Sequence, residues 1–289
     1  MNHSTETCMR ELSVDKITEA VKRLCIEAAC DLPEDVEKLI REAVDKEESK
    51  FGKYSLEKIV KNVELSRNEN APMCQDTGIV VVFAEVGQDL RLVGGSLTDA
   101  INEGVRQGYE EGYLRKSVVE DPVLNRKNTG DNTPAVIYTE LVPGNEIKLQ
   151  ILPKGAGSEN MGALKMLKPA EGLEGVKNFI IQAVTQAGGN PCPPVIVGVG
   201  IGGTMDKSTL LAKKALARHA GEPHANPEYQ ALEEELLEEI NKLGIGPQGF
   251  GGKVTALAVH IETYPTHIAT MPVAVCLNCH AARHKEVTL

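Results

Sequence analysis

Apolar residues recur at helical spacing through the first third of the chain. In 14–30, Ile17, Val21, Leu24 and Ala28 share one stripe with Cys25 on its flank. The pattern repeats in 33–47 (Val36, Leu39, Ile40, Ala43, Val44) and in 55–66 (Leu56, Ile59, Val60, Val63). The period then shortens. "APMCQDTGIVVVFAEVG" is a loop running into a β-branched strand over 79–86. A helix follows over 97–113, with Leu97, Ile101 and Val105 inward. "PAVIYTELVPGNEIKLQIL" predicts a hairpin, with strands over 135–142 and 146–152 around Pro143-Gly144-Asn145. Further on come a helix over 174–187 closed by Gly188-Gly189, a buried strand in "PVIVGVGIGG", and helices over 206–218 and 227–243. A last pair of strands, 253–262 and 268–275, ends at the cysteine pair Cys276 and Cys279. No internal repeat is visible.

This pattern predicts an α+β (mixed α/β) fold. An N-terminal helical lobe (1–70) packs on a mixed-sheet α/β core (71–289), the two expected to form one domain. At 289 residues the chain can bury a substantial core. A net charge of −10 gives no overall field for nucleic acid or an anionic membrane. The polar opening "MNHSTETCMRELSVDKI" lacks an export leader and no apolar run would span a bilayer, so the expected location is cytoplasmic.

In a reducing compartment the seven cysteines are core fillers, ligands or nucleophiles. Cys25 and Cys30, on helical stripes, are expected in the core, and Cys8 lies in a polar segment. Cys74, Cys192 and Cys279 sit instead among Pro, Gly, Asn and Asp, with Cys276 near the last. Cys276-Leu277-Asn278-Cys279-His280 matches a c-type haem attachment string, which the absence of an export leader argues against. With His284 the same stretch offers four zinc ligands, but all within nine residues, a cramped set for a closed tetrahedron. His280 and His284, four apart on a short helix, would then face solvent. Three thiolates from remote loops could instead hold a [4Fe-4S] cluster with one iron open as a Lewis acid. Gly198, Gly200 and Gly203 form G-x-G-x-x-G, but the Pro- and Asn-rich "HAGEPHANPEYQ" stands where a dinucleotide fold places its second strand. A tight strand-to-helix turn is the expectation there.

Local strings narrow these readings. "APMCQDTG", "LRKSVVEDP", "RKNTGDNTPAVIY", "PKGAGSENMGALKML", "GGNPCPPVIVGVGIGGTMDK" and "HIETYPTHIATMPVAVCLNCHAARH" resemble, in order, the class I (iron–sulfur) fumarate hydratases and the related L-tartrate dehydratases. The likeness runs from about residue 10 to the end and is to the α subunit of the two-subunit form. It implies a [4Fe-4S] cluster on Cys74, Cys192 and Cys279. Cys279 is preferred to Cys276 because the family's ligand precedes His-Ala-Ala-Arg and follows the site histidine, here His267, by twelve positions. It implies substrate contacts from Gln75, Arg115 and Gly157, with Asn132 also near the site. Asp76 is implied as the acid/base on the substrate hydroxyl, and His267 as a hydrogen-bond partner of substrate or Asp76. Ala156 departs from the family's usual glycine run. The reaction implied is reversible hydration of fumarate to (S)-malate, with L-tartrate dehydration as the alternative. A zinc or thiol regulatory module is the reading from another class. One convincing arginine is few for two carboxylates, so a β subunit is expected to complete the site.

Overall fold

A computed structural model describes residues 9–289, and Cys8 lies outside the described residues. In chain order the elements are β1 (Arg10–Ser13), α1 (Val14–Cys30), α2 (Glu34–Lys46), α3 (Lys50–Glu69), β2 (Ile79–Gly87), β3 (Leu90–Val93), α4 (Leu97–Glu111), β4 (Val136–Val142) and β5 (Ile147–Lys154). There follow α5 (Ala156–Glu159), β6 (Ala163–Leu167), α6 (Gly172–Ala187), β7 (Val195–Gly202), α7 (Met205–Ala215), α8 (Pro227–Lys242), β8 (Ala256–Tyr264), β9 (Met271–Asn278) and β10 (Lys285–Thr288). The fold is α+β, as expected. No helix among the described residues is long and apolar enough to cross a membrane.

Two compact units divide the chain. The first takes the chain up to Asp31, then Asn70–Lys154 and Arg283–Leu289; the second takes Leu32–Glu69 and Gly155–Ala282. Thus α1 belongs to the first unit, and α2 and α3 to the second. The predicted helices form because their stripes find cores. Ile17, Val21, Leu24, Cys25 and Ala28 of α1 are all buried. The first four of these join Ile101 and Val105 of α4 and Val80, Val82 and Ala84 of β2 in one cluster. Burial pushes the Cys25 thiol up to about 12, the behaviour of a packing residue. Helix ends follow local chemistry: Ser13 and Ser96 accept from the N–H groups of Asp15 and Asp99, and Gly188 ends α6 at φ 54°.

The predicted hairpin over 135–152 does not form. Both strands exist, but β2 lies between them: the first sheet runs β10-β5-β2-β4, with β4 parallel and β5 antiparallel to β2. The reason is burial. β2 (IVVVFAEVG) is covered almost throughout and takes the centre, whereas β4 is largely exposed and suits an edge. Residues 143–146 arch over the end of β2, where Gly87 N–H donates to Glu146 O and Asp89 N–H to Gly144 O. A Cβ on Gly87 would lie 2.4 Å from Gly144 O, so the arch needs glycine there.

The last strand pair is likewise split. The second sheet runs β6-β9-β7-β8, with β8 parallel and β9 antiparallel to β7. The two four-stranded sheets therefore share one topology, each with a fourth strand (β10 or β6) antiparallel to the third. This repeat has no counterpart in the sequence. Its consequence is positional: Cys74 lies in the loop entering β2, and Cys192 in the loop entering β7. Glycines of "GVGIGG" serve close packing. Cβ atoms on Gly198 and Gly200, both inside β7, would meet α7 carbonyls of Ala212 and Ser208 at 2.3 and 2.0 Å, so these two let α7 lie close on the strand, while Gly203, at φ 68°, sits in the strand-to-helix turn.

Gly87→Ala is expected to lower unfolding free energy by about 1–3 kcal/mol, because Gly144 must move. Urea denaturation checks it, and an unchanged midpoint would contradict the arch.

Candidate metal centre

In the first unit the loop Cys74–Gly78 carries Cys74, Gln75 and Asp76 and is braced from several sides. Asp76 accepts at Oδ1 from Gly78 N–H (3.0 Å), an Asx turn that sets its side chain. Buried Tyr109 donates through its hydroxyl to Thr77 O (2.7 Å) and Gly78 O (3.1 Å). Burial pushes that phenol well above its ordinary range, so it remains a neutral donor. Asn132, fully buried at φ 65°, uses both ends of its amide: Oδ1 accepts from Ser117 N–H and Nδ2 donates to Gly78 O. Thr77 Oγ1 donates to Arg115 O (2.9 Å), which ties the exposed Arg115 to the same loop. Thus Cys74, Gln75, Asp76 and Arg115 share one braced region, and Asn132 supports it from beneath.

In the second unit Cys192 and Cys279 are brought to one place. β9 runs antiparallel to β7 with Ile196 opposite Asn278, so the entry of one strand meets the exit of the other. Cys192 O accepts from His280 N–H (3.3 Å) and lies 3.0 Å from His280 Nδ1. Gln248, at φ 55°, donates from its backbone (2.7 Å) and from Nε2 (2.8 Å) to Pro193 O, and its Nε2 lies 3.1 Å from His280 Nδ1. Cys192 itself adopts φ 54°. Gly157, on α5, faces Asn190 O at the same loop, where an added Cβ would stand 3.6 Å away. Cys276 is different: it is a strand residue in register with Gly198, two positions inside the end of β9 at Asn278. Among the described residues, Cys276, Cys279 and His280 do not gather into a group that could hold one metal ion. The expected helix carrying His280 and His284 is also absent, and the chain from 279 to 284 is irregular.

His267 lies elsewhere in this unit. It is exposed in the connection before β9, and its Nδ1 accepts from Ala269 N–H (3.2 Å). Cys279 follows the other end of the same strand, so the length of β9, about 25 Å at ~3.3 Å per residue, separates them.

The loop bearing Gln248 is itself anchored by Glu47. That buried carboxylate accepts from Ser49 N–H (2.8 Å), Lys253 N–H (3.1 Å) and Val254 N–H (2.9 Å). Pattern reading had no access to Gln248, His280, Tyr109 or Glu47 as supports. Apart from Ser49 N–H, two residues from Glu47, their partners are backbone carbonyls and N–H groups distant in sequence, and the local signal was the glycine-rich string "GIGPQGFGG".

The fumarate hydratase (Fumerase) family model matches residues 18–288. The chain belongs to this family. It is therefore a hydro-lyase, of the α-subunit type. A Methanocaldococcus jannaschii chain provisionally named L(+)-tartrate dehydratase subunit alpha is 46% identical over 272 residues, covering 93% of this chain and 95% of its own. The L(+)-tartrate dehydratase subunit alpha of Escherichia coli strain UTI89 is 35% identical over 282 residues, covering 97% and 92%. That of Shigella sonnei is 34% identical over the same length, with the same coverage.

Burial alone would raise the Glu47 carboxyl; the backbone N–H groups of Ser49, Val254 and Lys253 outweigh it and hold it below the usual range. Its contribution is thus complete above the unfolded value of about 4.3 and is lost as pH falls through the lower folded value. Glu47→Gln should cost about 1–3 kcal/mol at neutral pH. In urea titrations the gap to wild type should close below about pH 4; a gap independent of pH would contradict the ionised anchor.

Proposed function

We propose that this chain is the α subunit of an iron–sulfur hydro-lyase that removes water from L-tartrate, with a β subunit completing the site. The observation carrying this reading is the bracing of Cys192 beside Cys279 at the mouth of β7. Cys74 occupies the matching entry loop of the other sheet, next to Asp76 and Arg115. The donor set suits the group. Cys74, Cys192 and Cys279 carry thiols outside any disulfide, on irregular backbone, and soft thiolates favour iron–sulfur clusters over hard cations. These three would hold a [4Fe-4S] cluster, and a cluster with three protein thiolates supplies one Lewis-acidic iron for the substrate hydroxyl. The curated relatives' names favour tartrate over the fumarate and malate pair expected first, and the family description keeps that pair as the second reading.

The chain's own residues divide the remaining work. Arg115 presents an exposed guanidinium suited to bidentate capture of one carboxylate. Gln75, also exposed, hydrogen-bonds substrate oxygens, and Gly157 leaves room at the Cys192 loop. Asp76, held by its Asx turn, exchanges the proton of the departing hydroxyl. Loss of water from a 2,3-dihydroxy dicarboxylate leaves an enol that tautomerises to the oxo acid; from malate the same loss gives fumarate. His267 is assigned a hydrogen bond to substrate or Asp76 on resemblance alone.

Coexpression with a β-type chain, anaerobic purification and assays on both tartrate enantiomers, malate and fumarate test the proposal. The expected result is brown protein containing iron and sulfide that dehydrates L-tartrate faster than malate. Faster turnover of malate would transfer the assignment to the second reading. Colourless protein with one stoichiometric zinc would overturn both.

Within that complex, Cys74→Ser, Cys192→Ser and Cys279→Ser should each abolish the brown absorbance, and Cys276→Ser should retain it. Asp76→Asn should keep the colour and lose turnover by roughly 100-fold or more. Full activity of Asp76→Asn would remove that residue from the proton transfer.

A further inference from the structure

Arg283 is 2% exposed and is among the largest fully buried side chains of the protein. Its guanidinium donates from Nη2 to Asp76 O (2.9 Å). Its Nε and Nη1 have no hydrogen-bond partner among the described residues. The neighbouring braces contrast with it. Asn132 pairs both ends of its amide and Tyr109 shares its hydroxyl between two carbonyls. A permanently charged group buried with open donors opposes folding, because it surrenders hydration without recovering acceptors. Bracing Asp76 O needs one donor, and a neutral side chain could supply it. A guanidinium with two open edges suits something else: an anion bound at the same loop.

We infer that Arg283 is a buried counter-charge for the anion assembled at the Cys74–Asp76 loop, its Nε and Nη1 edges reserved for that group's acceptors. The inference rests on the iron–sulfur hydro-lyase reading and adds a second cation to Arg115. Two anions share the required chemistry: a thiolate-ligated cluster, whose sulfurs accept N–H donors, and a carboxylate of the dicarboxylate substrate.

Arg283→Met and Arg283→Lys in the coexpressed complex, compared with wild type, separate the possibilities. Removing a buried charge with two open edges favours folding and losing its bond to Asp76 O opposes it, so the cluster-free Arg283→Met protein should melt no more than about 4 °C below wild type. If the cluster is the anion, the Met variant should lose iron to a chelator roughly tenfold faster, the scale of one charged hydrogen bond. If the carboxylate is the anion, iron retention should hold and KM should rise roughly tenfold with kcat little altered. The Arg283→Lys variant is expected to recover part of either effect. A cluster-free Arg283→Met protein that melts lower by more than about 4 °C overturns the proposal, as does one with iron retention and KM both unchanged. Wild type that takes up no iron and sulfide would instead sink the iron–sulfur reading, leaving the KM comparison to judge Arg283.

Discussion

Backbone carbonyls at the entrance to a buried central strand have no sheet partner, yet they cannot be left dry and unpaired. This protein answers that constraint with side chains brought from far along the sequence. Tyr109 and Asn132 hold the carbonyls of Thr77 and Gly78, and Arg283 holds that of Asp76. Gln248 and His280 do the same for Pro193 and Cys192. Each entry loop is thus irregular and still fixed. That combination suits a thiolate that must stand clear of regular structure and keep its direction.

The constraint arises from topology. In both sheets the strand following the crossover helices returns parallel to the central strand, arches over its end and descends on its other side. The central strand is thereby enclosed, and its entry loop becomes a point where chain ends of several elements meet. Cys74 and Cys192 occupy this same topological position, and Cys279 follows the descending strand β9. A fold that repeats its connection repeats its site geometry without repeating its sequence.

Much of this was legible in the residues. Long amphipathic helices and the apolar strands β2 and β7 declared themselves through periodicity, and Ser and Gly marked helix ends. The loop cysteines stood apart from Cys25 and Cys30 by their neighbours. Strand pairing was not legible. Pro143-Gly144-Asn145 is good turn chemistry whether the strands it joins pair directly or straddle a third. The choice is made by the burial of β2, a long-range property. The short strands β1, β3, β6 and β10 escaped notice because four or five residues at a sheet edge carry little pattern. Arg283 was visible only as the end of "HAAR". Its burial and its open donors are properties of the fold alone.

The proposed function joins a soft-ligand site to a hard, anionic substrate. In that reading thiolates from loops hold an iron–sulfur group, while Arg115 and Arg283 supply fixed positive charge at the loop that carries Asp76. Such charge is most useful where water is excluded, since protein dipoles and cations then need not reorganise during reaction. Mössbauer spectroscopy of the iron-57-labelled complex tests the central claim most directly. Three cysteine ligands predict irons in a three-to-one ratio, with the single site shifting when L-tartrate is added. Four equivalent irons, or a spectrum indifferent to tartrate, would contradict it.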